Sequence, residues 1–381
     1  MDKTLDIDQE RLIADFMTLV SIGSHSREEA NVAAYIKGAV EELGYVVAED
    51  HAGDIVGGNT GNLIVRVPGN PNWPTILLMA HMDTVAPGHG VRPIRHADRI
   101  TSDGKTVLGA DDKAGVAGLL HLLTVLHSTK EEHPPLEVVF TICEEVGLLG
   151  AKALDRSSLQ ASYGFVFDSG GPLGSIVTHG PAQAKMKALV HGKAAHAGMA
   201  PEKGVSAIEV TSQAIAKMHL GRIDDHTTAN IGQIKGGFAT NIVCDLVELY
   251  AEARSLNDDR LRIQQEHMTQ VLQATAKQHG VFAEVDWTAS YPSFALPQDS
   301  FLRIIATNAM NRMDVTPTFV HSGGGSDANV INSKGIPVIN LAVAYQQIHT
   351  LEEWISLDNL TGAAQMILEI VRATSDYERH V

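Results

Sequence analysis

The chain has 381 residues, of which 44% are hydrophobic and 19% charged, and these values exclude a disordered chain and predict about two globular domains. With 29 Lys and Arg against 45 Asp and Glu, the net charge of −16 argues against a protein that binds nucleic acid or anionic lipid. The sequence has only two cysteines, which argues against a disulfide framework, and shows no signal peptide or membrane-spanning apolar run. We therefore expect a cytoplasmic protein.

The first forty residues predict two helices. Apolar residues recur at helical spacing between residues 12 and 20. Ser26 and Glu29 then form an S-x-x-E pattern, which is typical of the capping box at the start of a helix. This second helix is predicted to end near Leu43 and Gly44.

The next part of the chain alternates apolar strands with an apolar helix. The strands are predicted at 63–67, 75–80, 136–142 and 163–167, and the helix at 115–127. A strand, a crossover helix and a second strand make a βαβ unit, so we expect parallel strands in the sheet.

The pattern changes near residue 176, where strands with alternating character and amphipathic helices begin. Their order is β-α-β-α-β, which predicts a small α+β sandwich of the ferredoxin-like kind. These elements cover 184–191, 205–220, 247–255, 260–279 and 282–288. After about residue 300 the first pattern resumes, with a strand at 337–342 and a helix at 358–374.

These elements predict an α/β fold with an inserted domain. Residues 1–178 and 294–381 would form one discontinuous domain with a mixed, largely parallel sheet flanked by helices. Residues 179–293 would form the inserted α+β domain.

Several polar side chains follow the predicted strands or open the predicted helix. In open α/β sheets, ligands bind outside the carboxyl ends of the strands, so these groups would converge on one crevice. They are His81 and Asp83, Asp111 and Asp112, Glu144 and Glu145, Asp168 and, at a longer remove, His349.

Two histidines with several carboxylates are a ligand set for zinc, cobalt or manganese. Each motif alone also has a structural interpretation: H-x-D as a hydrogen-bonded loop pair, Glu-Glu as a solvated helix start, and Asp-Asp as an N-cap. Their recurrence at strand ends in one domain favours two metal ions that share a carboxylate, with one carboxylate left to move protons. A serine nucleophile is disfavoured because there is no G-x-S-x-G elbow, and Cys143 is expected to be a buried apolar residue.

The same residues resemble the M20 metallopeptidase family, and most closely its peptidase T-like tripeptidases. The resemblance extends over essentially the whole chain. Its motifs are HMDTVAPG (81–88), LGADDKAG (108–115), TICEEVGLLGAK (141–152), FDSGG (167–171) and SGGGSDANV (322–330).

The resemblance implies a role for each of these polar residues. His81, Asp111 and Asp168 would bind one metal ion, and Asp111, Glu145 and His349 would bind the other, with Asp111 bridging the two. Glu144 would be the general base. Asp83 would hydrogen-bond the far nitrogen of His81 and fix its tautomer. The resemblance also implies a cis peptide bond between Asp111 and Asp112.

The resemblance further implies that the inserted segment is a lid. His196, in GKAAHAGMAPEKG (192–204), would stabilise the oxyanion, and Asn241 and Arg254 would contact substrate. From the residues alone, Asn241 could equally cap a turn and Arg254 could equally pair with an acid.

The function that we expect from the sequence is that of a di-zinc exopeptidase, an aminopeptidase that releases the N-terminal residue of tripeptides and forms a homodimer through the inserted domain. Cobalt or manganese are alternative ions. An M20 carboxypeptidase or an N-acyl-amino-acid deacylase has the same ligand set, and a metal-binding scaffold without activity is the non-enzyme alternative.

Overall fold

The computed structural model describes residues 7–380. The chain folds into two compact units. Unit 1 comprises Met1–Thr178, Leu296–Ser322 and Ser326–Val381, and unit 2 comprises His179–Ala295 and Gly323–Gly325. No helix among the described residues is both long and apolar enough to cross a bilayer.

The first part of unit 1 runs from α1 to β8, and β8 continues into unit 2. Its helices are α1 (Gln9–Ser21), α2 (Ala30–Glu42), α3 (Ala52–Val56), α4 (Ala110–Thr129) and α5 (Leu149–Ala153). Its strands are β1 (Val46–Glu49), β2 (Leu63–Val67), β3 (Ile76–His81), β4 (Ile94–Arg95), β5 (Arg99–Thr101), β6 (Leu136–Thr141), β7 (Tyr163–Ser169) and β8 (Ser175–Gly180).

The elements that follow β8 complete the two units. Unit 2 contains β9 (Ala182–His191), α6 (Ala207–Ile215), β10 (Gly221–Arg222), β11 (Thr227–Gly236), β12 (Leu246–Ser255), α7 (Asp258–Gln278), β13 (Ala283–Tyr291) and β14 (Phe294–Ala295). The chain then returns to unit 1 with α8 (Phe301–Arg312), β15 (Thr318–His321), α9 (Asp327–Ser333), β16 (Val338–Ala342), β17 (Trp354–Ser356) and α10 (Leu357–Glu378).

The main sheet of unit 1 is mixed, with strand order β1-β2-β6-β3-β7-β16-β8. Its four central strands, β6, β3, β7 and β16, pair in parallel, whereas β1, β2 and β8 add antiparallel edges. Because β3 and β6 are buried along their whole length, their residues are mostly apolar, with His81 at the end of β3 and Glu137 and Thr141 in β6. The carboxyl ends of the four parallel strands lie along one edge of the sheet, which brings together the residues that follow them.

Helix α4 is the central helix of unit 1. It packs against β3 and β7 and against α1 and α10. Almost every residue of its first four turns is buried, which explains why apolar residues predominate on all sides of the helix after Lys113. Its first turn is interrupted at Asp111 and Asp112, whose backbone angles are not helical and whose joining peptide bond is cis, as the resemblance implies.

Unit 2 is an antiparallel sheet of order β10-β11-β12-β9-β13 with α6 and α7 packed on it. The order of its main elements is β-α-β-β-α-β, so the predicted β-α-β-α-β order lacks one strand, β11. That strand carries no apolar run because most of its residues are exposed. Helix α6 is also shorter than the predicted 205–220, since Ser206 caps it and it ends at Ile215.

Candidate metal centre

His81 is the last residue of β3 and is buried. Its Nδ1 lies 2.9 Å from the backbone carbonyl oxygen of Asp83. Because a carbonyl oxygen only accepts hydrogen bonds, Nδ1 carries the proton and the Nε2 lone pair is available to bind a cation. The tautomer is therefore set by the backbone of Asp83, whose carboxylate oxygen is farther away at 3.5 Å.

Asp111 lies between two histidines that come from opposite ends of unit 1 in sequence. One of its oxygens, Oδ1, is 3.2 Å from His81 Nε2, and the other, Oδ2, is 3.3 Å from His349 Nε2. Each oxygen of a single carboxylate thus faces a different imidazole. This is the arrangement that a carboxylate needs to bridge two ions.

Two further carboxylates complete the donor sets. Asp168, near the end of β7, has its Oδ1 3.6 Å from His81 Nε2. Glu145, in the turn after β6, has its Oε1 3.1 Å from His349 Nε2. In each set, one ligand atom from every residue lies within 4.8 Å of the others, and the sets are His81, Asp111, Asp168 and Asp111, Glu145, His349.

The donor types fit divalent cations. Each set offers one imidazole nitrogen and two carboxylates, and none offers a thiolate, a combination that suits zinc, cobalt or manganese. The charges of the residues in the two sets point the same way. The hydrogen bonds that His349 donates to Asp111 and Glu145 raise the pKa of His349 to about 10, and burial raises the pKa of Glu145 to about 7. A bound divalent ion would replace the protons that His349 and Glu145 hold when their pKa values are raised in this way.

Another histidine and glutamate cluster in unit 1 is a poorer donor set. His25, Glu28 and His89 lie close together, but His25 Nε2 already accepts a 2.7 Å hydrogen bond from the Gly88 backbone N–H. That bond occupies the nitrogen that a cation would need, and Glu28 and His89 are exposed.

Glu144 belongs to neither donor set, although it precedes Glu145 in the same turn and is buried. Burial and the negative charge of Asp168 raise the pKa of its carboxyl group well above the ordinary value. A carboxylate with a raised pKa, next to candidate metal ligands but not among them, is suited to accept and return a proton.

The Asp83 carboxylate holds the turn that carries Glu144. Its Oδ1 accepts the Glu144 backbone N–H at 2.9 Å, and its Oδ2 accepts that of Glu145 at 3.2 Å. Oδ2 also accepts the Ser26 hydroxyl at 2.6 Å. Asp83 therefore orients Glu144 and Glu145 through its carboxylate, and His81 through its backbone carbonyl oxygen.

Three residues that the sequence analysis did not single out hold the predicted ligands in place. Glu353 accepts the backbone N–H groups of Gly109 at 2.7 Å and Asp111 at 3.0 Å. Asn340 bonds both backbone groups of Asp168, and the Tyr345 hydroxyl donates to Asp168 Oδ1 at 3.0 Å. The polar Asn340 within the apolar run of β16 was a usable signal, whereas nothing near Glu353 distinguishes it from a surface acid.

The other three predicted site residues, His196, Asn241 and Arg254, lie in unit 2. His196 Nδ1 accepts the backbone N–H groups of Gly198 and Met199, both at 3.1 Å, so its Nε2 carries the proton and is a hydrogen-bond donor. The Asn241 side chain is exposed, and its backbone oxygen accepts the Ala197 N–H.

Arg254, on β12, is held by an acid of the same strand. Its Nε and Nη2 donate to the two carboxylate oxygens of Glu252 at 2.9 and 3.3 Å. The Gln183 side chain donates to Glu252 as well. The alternative interpretation of Arg254, pairing with an acid, is thus what the structure shows within unit 2.

Two family profiles match parts of this chain. The peptidase dimerisation domain of the M20 group matches residues 178–280, and the M42 glutamyl aminopeptidase profile matches residues 94–193. The first match lies almost wholly within unit 2, and the second includes Asp111, Glu144 and Asp168.

Three similar proteins span nearly the whole chain. The uncharacterized protein YqjE of Bacillus subtilis is 45% identical over 365 residues, which cover 96% of this chain and 98% of that protein. The crystal structure of the aminopeptidase PepT from Bacillus cereus has a TM-score of 0.90 and 44% identity, with 97% of this chain and 100% of that chain covered. A tripeptidase from Staphylococcus aureus has a TM-score of 0.94 and 39% identity, with 97% and 99% covered.

Identity of this level over nearly complete chains, together with the matching dimerisation domain, shows the family as well as the fold. This protein belongs to the M20 family of metallopeptidases, in its peptidase T-like group.

Proposed function

We propose that this protein is a two-metal aminopeptidase that releases the N-terminal residue of tripeptides, with zinc as the working ion. The observation that carries the proposal is the pair of donor sets that share Asp111 and lie beside the unligated Glu144. The activities named for the similar Bacillus cereus and Staphylococcus aureus proteins support it.

In this proposal, His81, Asp111 and Asp168 hold one ion and Asp111, Glu145 and His349 hold the other. Bound divalent ions would supply a polarised water and an electrophile for the peptide carbonyl group. Glu144 accepts the proton that the attacking water loses and returns it to the departing amine. Asp83 keeps His81 in the required tautomer and holds the backbone of the Glu144 turn.

We assign a substrate-binding role to three residues of unit 2. His196 offers its Nε2–H to the carbonyl oxygen as negative charge builds up there. Asn241 and Arg254 contact the peptide. Residues 179–293 act as lid and dimerisation domain of a homodimer, and residues 1–178 and 294–381 as the catalytic domain.

The pairing of Arg254 with Glu252 favours an aminopeptidase over the alternatives. A carboxypeptidase or a deacylase needs a cation for the free carboxylate of its substrate, but the charge of Arg254 is already balanced by Glu252. An aminopeptidase needs an acid for the free amine, and Glu252 is one.

An end-group assay tests the proposed specificity. Zinc-loaded protein is offered one tripeptide in three forms: unmodified, N-acetylated and C-amidated. Cleavage of the unmodified and C-amidated forms, with none of the acetylated form, is the expected result. Cleavage that survives acetylation and needs the free carboxylate would instead identify a carboxypeptidase or deacylase. The absence of any cleavage, with metal bound, would favour the scaffold.

A further inference from the structure

The turn that carries Glu144 begins with a residue in an unfavourable conformation. Cys143 has a φ of +53°, in the left-handed region that residues with a Cβ atom seldom adopt. The next two residues are Glu144 and Glu145, so the direction of both side chains depends on this backbone angle. Some contact must hold Cys143 in place.

Two buried carboxylates accept the backbone N–H groups of three consecutive residues in this turn. Asp83 accepts those of Glu144 and Glu145, and the Oε1 atom of Glu29 accepts that of Cys143 at 3.0 Å. Glu29 is fully buried, and its Oε1 also lies 3.4 Å from the Cys143 Sγ. Glu29 is thus the side chain that fixes the first residue of the turn.

Glu29 does not have the role that the sequence pattern predicts for it. In a capping box, Ser26 and Glu29 would bond to each other's backbone N–H groups. Here helix α2 begins at Ala30, Glu29 makes no capping hydrogen bond, and the Ser26 hydroxyl donates to Asp83. Both residues of the S-x-x-E pattern therefore act on the Glu144 turn. Glu29 binds its first N–H directly, and Ser26 holds the Asp83 carboxylate that binds the next two.

We propose that Glu29 is a positioning residue for the reaction, which acts by holding Cys143 in the left-handed conformation and thereby fixes Glu144 and Glu145. The inference rests on the proposed function of Glu144. Without the Glu29 carboxylate, the Cys143 N–H loses its partner and the turn relaxes, which moves the general base and one metal ligand together.

The two oxygens of Glu29 make the conservative variant informative. Oε1 accepts the backbone N–H groups of Arg27 and Cys143, whereas Oε2 has no hydrogen-bond partner among residues 7–380. A glutamine can put its carbonyl oxygen at Oε1 and its amide at the unused position. Glu29→Gln should therefore keep the contact that Glu29→Ala removes.

The test compares these variants at saturating metal on a tripeptide. We expect Glu29→Ala to lower kcat about 100-fold with KM changed by less than about threefold, the size of effect that a small misplacement of a catalytic group causes. Glu29→Gln should stay within about threefold of the wild type. Adding Cys143→Gly to Glu29→Ala should restore part of kcat, since glycine adopts a positive φ without a steric penalty.

Glu137→Ala is the matched control. Glu137 is also buried, lies at the start of β6, and accepts the backbone N–H groups of Gln160 and Ala161 at 2.8 and 2.9 Å. Its loss should lower stability while leaving kcat near the wild-type value. Glu29→Ala with a kcat as high as that of Glu137→Ala would overturn the proposal, as would a Glu29→Gln variant as impaired as Glu29→Ala.

A cobalt titration separates this proposal from the proposed function. The Glu145 site should bind Co²⁺ at least about tenfold more weakly in Glu29→Ala, and with wild-type affinity in Glu29→Gln. If the wild type cleaves no peptide, the proposed function fails while the titration still decides the role of Glu29. Identical Co²⁺ binding isotherms for Glu29→Ala and the wild type would then reject the positioning role of Glu29.

Discussion

The carboxylate of Asp111 offers one oxygen to His81 and the other to His349, which places a single residue in both donor sets. Glu353 accepts the Asp111 backbone N–H, at a point where the backbone angles of Asp111 and Asp112 are not helical. The site therefore depends both on the residues that would bind the ions and on residues, such as Glu353, that hold those ligands in place.

Replacement of the proposed base should separate chemistry from metal binding. We expect Glu144→Gln to lower kcat by about 10²–10⁴-fold because the water loses its proton acceptor, with two metal ions still bound. The checks are kcat on a tripeptide and metal content by elemental analysis. Glu145→Gln is the companion variant, which should lose metal. A Glu144→Gln variant with normal kcat would remove Glu144 from its assigned role.

Glu353 offers a test of the support beneath Asp111. Each carboxylate oxygen of Glu353 accepts one backbone N–H, from Gly109 or from Asp111. In Glu353→Gln the side-chain NH₂ group replaces one of these oxygens, so it faces a backbone N–H and that hydrogen bond is lost. We expect metal affinity to fall by about 10–100-fold. Glu352→Gln, at the exposed neighbouring position, should bind metal normally. Equal affinities for the two variants, measured by competition with a chelator, would show that the Glu353 contact does not matter.

Metal binding should release protons near neutral pH. The hydrogen bonds that His349 donates to Asp111 and Glu145 raise its pKa to about 10, so the metal-free protein carries a proton there at pH 7. A ligand imidazole must be neutral, so the ion displaces that proton and affinity rises with pH by about tenfold per unit for each proton released. Calorimetry in buffers of different ionisation enthalpy measures the number of protons released when the metal ion binds. A binding heat that is independent of the buffer would contradict it.

At the scale of elements, the central strands of the main sheet of unit 1 could be predicted because they are almost entirely buried. The runs that become β3, β6 and β7 are mostly apolar, and polar residues of the site lie at their ends or directly after them. Strand β11 was not predicted because the second half of the strand is exposed and carries no apolar run. Glu29 and Glu353 escaped prediction because their partners are backbone groups far away in sequence, which no local pattern records.

The exposed half of β11 provides a test of the proposed homodimer. Strand β10 pairs only with Thr228 and Ala229, and no strand among the described residues covers the same edge at 230–236. An open edge with an exposed Ile234 is suited to pair with a second copy of the chain. We expect Ile234→Glu to convert dimer to monomer in light scattering. Ile263→Glu, at an exposed position of α7, is the control and should stay dimeric. A dimeric Ile234→Glu variant would place the interface elsewhere.

At the scale of the whole molecule, the net charge of −16 fits a protein whose functional centre gathers acids. Asp112 and Asp327 are buried in the same unit as the five candidate ligands, and burial raises the pKa of both, to about 7 in the case of Asp327. Such a group of carboxylates is costly to bury without compensating positive charge. Two divalent cations would supply that charge, so metal binding and the stability of unit 1 should be linked.

The most direct test of the two-metal account is a titration of the metal-free protein with zinc while tripeptide cleavage is followed. We predict no turnover in the presence of a chelator, a rise in rate as zinc is added, and a plateau at two equivalents per chain. A plateau at one equivalent would contradict the shared role of Asp111. Full activity in excess chelator would contradict the account as a whole.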